Sequence, residues 1–161
     1  EVLKDLSKQI IGLGGKPTFD QLDQKLLIKK LTKQLDTLLV KSILNDQTKN
    51  KINYEEIKGI KIRFQNIEGL PLKELRKLVD DGKKELGEGI VVVFASKDGK
   101  VGVAVGVTSK LTGKYDAVNF VKISSEIIGG QGGGGRQDFA QAGGQDQSKI
   151  NEAFKKIKSL I

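Results

Sequence analysis

The sequence has no cysteine, histidine, methionine or tryptophan, and only two prolines, in 161 residues. Each absence removes a class of chemistry. Without cysteine there can be no disulfide and no thiolate nucleophile, which agrees with a reducing, cytoplasmic setting. Without histidine no Ser–His or Cys–His pair can be assembled, and most routes to a zinc centre close as well. No catalytic residue, cofactor or metal is therefore expected. Long apolar runs are also missing. The stretches Gly89–Ala95 and Val101–Val107 fall far short of the ~20 residues a membrane helix needs, so no membrane partner is expected. The start, Glu1-Val2-Leu3-Lys4-Asp5-Leu6, lacks the basic and apolar regions of a signal peptide. With no initiator Met, the chain is expected to be a fragment of something longer.

What is present is charge and glycine. The formal charge is +8, divided as +2 over residues 1–57 and +6 over residues 58–161. Such an excess steers anionic partners, nucleic acid ahead of membrane surfaces, although lysine can also serve only to solubilise a surface. At 37% hydrophobic and 30% charged, the composition is that of a folded domain, not a disordered tract.

The first residues carry Leu3, Leu6, Ile10 and Leu13 at helical spacing, stopped by Gly12, Gly14 and Gly15. After Pro17, Thr18 or Asp20 can cap a second helix. Its stripe is Leu27, Ile28, Leu31, Leu35, Leu38 and Leu39, opposite Lys25, Lys29, Lys33 and Asp36. Two such helices pack as a hairpin, or the stripe of residues 27–39 pairs with a second copy to make a homodimer. The polar stretch Asn45–Asn53 marks a boundary, giving a helical subdomain over 1–53 and a globular one over 54–161.

Beyond that boundary the period changes. Ile60, Ile62 and Phe64 alternate with Lys61 and Arg63 as a strand, and Pro71 opens a helix bearing Leu72, Leu75, Leu78 and Val79. Ile90–Phe94 and Val101–Thr108 flank Asp98-Gly99, the signature of a tight antiparallel hairpin. Gly102, Ala104 and Gly106 leave one side of the return strand nearly smooth, so a helix should pack closely there, with Tyr115–Ile128 the candidate. A strand over Gln137–Ala142 and an amphipathic helix over Ser148–Leu160 complete the pattern. The expected class is α+β: an N-terminal helical hairpin, then a small α/β sandwich with an antiparallel hairpin in its sheet.

The most informative stretch runs from Gly129 to Gly144, Gly-Gly-Gln-Gly-Gly-Gly-Gly-Arg-Gln-Asp-Phe-Ala-Gln-Ala-Gly-Gly. Gly130-x-Gly132-x-x-Gly135 meets the dinucleotide pattern only formally, because it follows a helix and not a strand. The adjacent acids Glu55-Glu56 and Asp80-Asp81 do not make a two-carboxylate site. As a whole the stretch resembles the GGxGGGRPDxAQAGG signature of the C-terminal domain of alanyl-tRNA synthetases, shared more loosely with the DHH phosphoesterases. The hairpin and the subsequent Leu111-Thr112-Gly113-Lys114 resemble that family too. Gln137 replaces the family's Pro, and one Gly is extra, so the loop is expected to be less rigid than in its relatives. The phosphoesterases' Gly-Gly-His element is absent.

The resemblance implies a non-catalytic module that holds the elbow of alanine tRNA while other domains of the synthetase act on the far end. Consecutive glycines let backbone N–H groups converge on a phosphate or let main chain lie against a base, or they merely permit tight packing. The residues implied for RNA contact are Gly132, Gly133, Gly134, Gly135, Arg136, Gln141, Gly143, Gly144 and Lys114. Arg136 would fork to phosphate or stack on a base, while Asp138 and Gln141, the latter also counted among the RNA-contact residues, would brace the loop or Arg136.

Overall fold

The computed structural model describes residues 19–49 and 54–161. The chain divides into two compact units, Glu1–Leu44 and Asn45–Ile161. The expected first helix and its glycine turn, and with them the hairpin, lie outside the described residues.

Helix α1 spans Phe19–Lys49. Its sequence contains no Gly or Pro, so nothing breaks it at Asn45. It runs through the first part of the polar stretch, since Asn, Asp and Gln lower helix propensity by only a few tenths of a kcal/mol to ~0.7 kcal/mol each. The leucine stripe is solvent-facing: Leu27, Ile28, Leu31, Leu35, Leu38 and Leu39 are all exposed, Ile28 and Leu38 by 62%.

The second unit is built on a six-stranded sheet in the order β1-β2-β3-β4-β6-β5. The strands are β1 (Glu55–Ile57), β2 (Ile60–Glu68), β3 (Ile90–Lys97), β4 (Lys100–Val107), β5 (Gly133–Arg136) and β6 (Phe139–Gly144). Only β2 and β3 run parallel, and they are joined through a short 3₁₀ turn, Leu72–Glu74, and helix α2, Leu75–Leu86. A parallel pair requires such a crossover. β3 and β4 form the expected hairpin, with Asp98 at φ 52° and Gly99 at φ 74° in the turn. Two successive positive φ values match the right-handed twist of the strands entering and leaving. Ile90 to Ser96 are all buried, as suits a central strand covered on both faces.

The residue alternation of β4 sorts the layers. Val101, Val103, Val105 and Val107 join a core with Phe120 and Val121 of helix α3 (Ala117–Ile127) and Ile150, Ala153 and Ile157 of helix α4 (Ile150–Ser159). Gly102 and Gly106 face the other way, toward α2. A Cβ on Gly102 would lie 2.6 Å from Leu72 and 2.8 Å from Leu75, and one on Gly106 would overlap Val79. The helix on the smooth side is thus α2, not the expected Tyr115–Ile128 segment. Leu72, Leu75 and Val79 fill the space the glycines leave, while Phe120 and Val121 of α3 meet the valines on the other side. Arg63 of β2 is buried beneath α2, where its guanidinium pairs with Glu85.

Candidate nucleic-acid interface

Helix α3 begins at an Asp116 cap, whose carboxylate accepts the Val118 N–H at 2.8 Å. At its far end two serines, Ser124 and Ser125, lie fully buried. Ser125 anchors the glycine run. Its carbonyl accepts the Gly130 N–H at 2.7 Å, while its hydroxyl accepts the Gly132 N–H at 3.1 Å and donates to the Gly143 carbonyl at 3.2 Å. One residue thereby ties the run to both the helix and β6. Gly132 turns the chain at φ 99°, a conformation open mainly to glycine.

Past that turn the glycine run is not a loop. Gly133–Arg136 is the edge strand β5, paired with β6 in the register Gly133↔Ala142, Gly134↔Gln141, Gly135↔Ala140 and Arg136↔Phe139. The two residue sets therefore point to opposite faces. Toward α3, a Cβ on Gly133 would strike Ala142 and lie 2.8 Å from Val121; one on Gly135 would strike the backbone of Phe139 and Ala140; one on Gly144 would strike Ile128. Gly130 is equally confined, by the Gly143 carbonyl and Ser125. These four are packing glycines. Toward the opposite face, a Cβ on Gly134 would meet nothing within 4 Å, and one on Gly143 only the Val101 carbonyl at 3.7 Å.

On that second face lie Gly134 and Arg136 of β5 with Phe139, Gln141 and Gly143 of β6, all exposed except the half-buried Phe139. β6 is registered beside β4, Gly143 opposite Gly102, Gln141 opposite Ala104 and Phe139 opposite Gly106. The strip is thus a lateral continuation of the surface covered by α2. Helix α2 supplies one wall. The Arg76 guanidinium lies 5.3 Å from the centroid of the Phe139 ring, and Lys83 donates to the Asp138 carbonyl at 3.2 Å with its carboxylate 3.7 Å away. A cleft of about 530 Å³ continues past Lys83, lined by Asp80, Lys84, Gly87, Thr108, Ser109 and Lys110. The result is a shallow channel whose floor is bare backbone at Gly134 and Gly143 and whose margin is basic, suited to the edges or faces of nucleotides and to their phosphates.

The residues singled out in the sequence therefore separate. Gly134, Arg136, Gln141 and Gly143 share the open face, and Gly132 stands at the exposed turn leading into it. Gly133, Gly135 and Gly144 serve internal packing. Asp138 braces Lys83, not Arg136. Lys114 lies in the turn between β4 and α3, its ammonium 5.4 Å from the centroid of the Tyr115 ring. The sequence reading missed Arg76, Lys83, Phe139 and Ser125. Arg76 and Lys83, seven apart, mark one flank of α2, and Ser125, with Ser124, is a polar residue on the buried side of α3; both are weak signals before the partner strand is known. Among the described residues no helix is long and apolar enough to cross a membrane.

The DHHA1 domain family matches residues 59–161. The chain belongs to that family. Within it, this DHHA1 domain is 48% identical over 107 residues to the alanine–tRNA ligase of Bradyrhizobium diazoefficiens and 49% identical over 107 residues to that of Hyphomonas neptunium. Each match covers 66% of this chain and 12% of the relative, so the chain spans about an eighth of the ligases it matches. Among solved structures, the C-Ala domain from Aquifex aeolicus alanyl-tRNA synthetase superposes with a TM-score of 0.63 at 28% identity, covering 66% of this chain and 96% of that one. The globular unit thus has the fold of an alanyl-tRNA synthetase C-terminal domain.

Proposed function

We propose that this chain is a non-catalytic, tRNA-binding C-terminal module of an alanyl-tRNA synthetase, gripping the elbow of alanine tRNA in support of aminoacylation and editing by other domains. The observation that carries the reading is the open strip Gly134–Gln141–Gly143, bordered by Arg76, Lys83 and Arg136. Its rationale is effective concentration. A hold on tRNA far from the reacting end keeps that end near its active sites without chemical discrimination. Phosphate contacts by lysine and arginine make binding fall steeply with salt, about 0.9 in log K per log unit of salt for each duplex phosphate neutralised. The test is the affinity of the purified chain for alanine tRNA over a salt series, with Arg136→Ala alongside; a chain that ignores tRNA at low ionic strength refutes the grip.

A second reading, assembly, is favoured by the exposed leucines of α1. In it residues 27–39 pair two chains, and the parent enzyme is a homodimer through this helix. Sedimentation at several concentrations separates the two: a monomer that binds tRNA supports the grip, and a dimer indifferent to tRNA supports assembly.

A further inference from the structure

We infer that Arg76 and Phe139 form a base-stacking post at the margin of the strip, on which one unpaired or terminal nucleobase of the bound RNA rests. This inference rests on the tRNA-binding reading and specifies a contact within it. Phe139 is half-buried on β6, next along its face to Gln141. The Arg76 guanidinium stands over its ring at 5.3 Å, and the Asp80 carboxylate lies 4.0 Å from its Nε. Yet the Arg76 side chain keeps 74% of its accessible surface. A guanidinium with an aromatic ring on one side and solvent on the other presents a planar, weakly hydrated, delocalised surface, the kind on which nucleobases stack. An ammonium offers no such plane.

The surroundings select a base over a phosphate. Asp80 beside the guanidinium and Asp138 against Lys83 offset two of the three cations around the ring, leaving Arg136, opposite Phe139 on β5, to meet the phosphate of the nucleotide whose base rests on the post. Gln141 is exposed two residues further along β6, and its amide carries both a donor and an acceptor for the edge of a base seated on the post. Gly143 and Gly134 beyond it have no side chain to obstruct the neighbouring nucleotide.

The test uses the 161-residue chain and an alanine tRNA transcript, comparing wild type with Phe139→Leu and Arg76→Ala over a salt series, with thermal unfolding of each variant in parallel. Loss of one stacked base corresponds to about a tenfold weaker Kd. The expected result is that loss in both variants with the slope of log K against log salt unchanged, because a stacked base releases no counterion. Binding within twofold of wild type for either folded variant overturns the inference, as does a slope reduced by about 0.7 to 0.9 in Arg76→Ala, which marks a phosphate contact. If Phe139→Leu fails to fold, Arg76→Ala decides alone through its slope, the side chain being exposed. Wild-type protein that does not bind tRNA refutes the broader grip, a result distinct from any difference among variants.

Discussion

At the residue scale the glycine run holds two populations that sequence cannot tell apart. Gly133 and Gly135 face α3 and are confined by Ala142, Ala140 and the β6 backbone, whereas Gly134 between them faces open space. Alanine at Gly133 should therefore destabilise the domain by about 1–3 kcal/mol through overpacking, read as a lower urea midpoint. Alanine at Gly134 should leave the midpoint within about 0.5 kcal/mol of wild type. Ser125 carries a similar contrast with its neighbour. Replacing its buried hydroxyl by alanine leaves the Gly132 N–H and the Gly143 carbonyl each short of a partner, at a cost of about 1–3 kcal/mol. Ser124, whose hydroxyl only returns to the Phe120 carbonyl of its own helix at 2.7 Å, should cost less; hydrogen exchange at Gly132 distinguishes them, rising in the Ser125 variant alone. The signature motif was legible because its residue types are unusual in combination. The division of labour inside it was not, since strand pairing decides which glycine faces which way and glycine has no side-chain pattern to reveal a strand.

At the element scale, period 2 was enough to find β2, β3, β4 and the hairpin turn, and to place Gly102 and Gly106 on one smooth side. It could not say which helix lies on that side. The sequence of β4 states only that its partner is bulky; Leu72, Leu75 and Val79 meet that need, and the crossover between parallel strands brings them there. Strand β5 escaped notice for lack of alternation, and α1 extends past Asn45 because polar composition alone does not end a helix that contains no Gly or Pro. Gly106→Leu should separate α2 from the sheet, lowering the unfolding midpoint and freeing Lys83 from Asp138. The turn into α4 has a pH signature. The Asp146 carboxylate accepts from the Ser148 hydroxyl at 2.5 Å and the Ser148 N–H at 3.1 Å, bonds that hold its pKa below the ordinary 3.8. A depressed folded-state pKa contributes stability above the unfolded value and loses it as pH falls through the folded one. Asp146→Asn should thus lower stability in the neutral region, where the carboxylate makes its contribution, and flatten the acid limb below about pH 4, where variant and wild type converge. On α1, Leu31→Lys tests assembly: if two copies pair through the stripe, the variant sediments as monomer at concentrations where wild type does not.

At the scale of the whole molecule, charge and surface shape point to one kind of partner. The net +8 draws polyanions generally, and the excess on residues 58–161 coincides with the unit that bears the open strip. Charge explains attraction but not register; the proposed register comes from Gly134 and Gly143, whose bare backbone beside Gln141 would let RNA approach more closely there than a substituted strand would. The decisive measurement is therefore the affinity of Gly134→Val for alanine tRNA at fixed low ionic strength, alongside its unfolding midpoint. Valine fits the edge-strand backbone and the empty space above it, so the midpoint should hold while affinity falls by about tenfold or more, corresponding to ~1.4 kcal/mol. A folded Gly134→Val protein that binds tRNA as tightly as wild type would contradict the account.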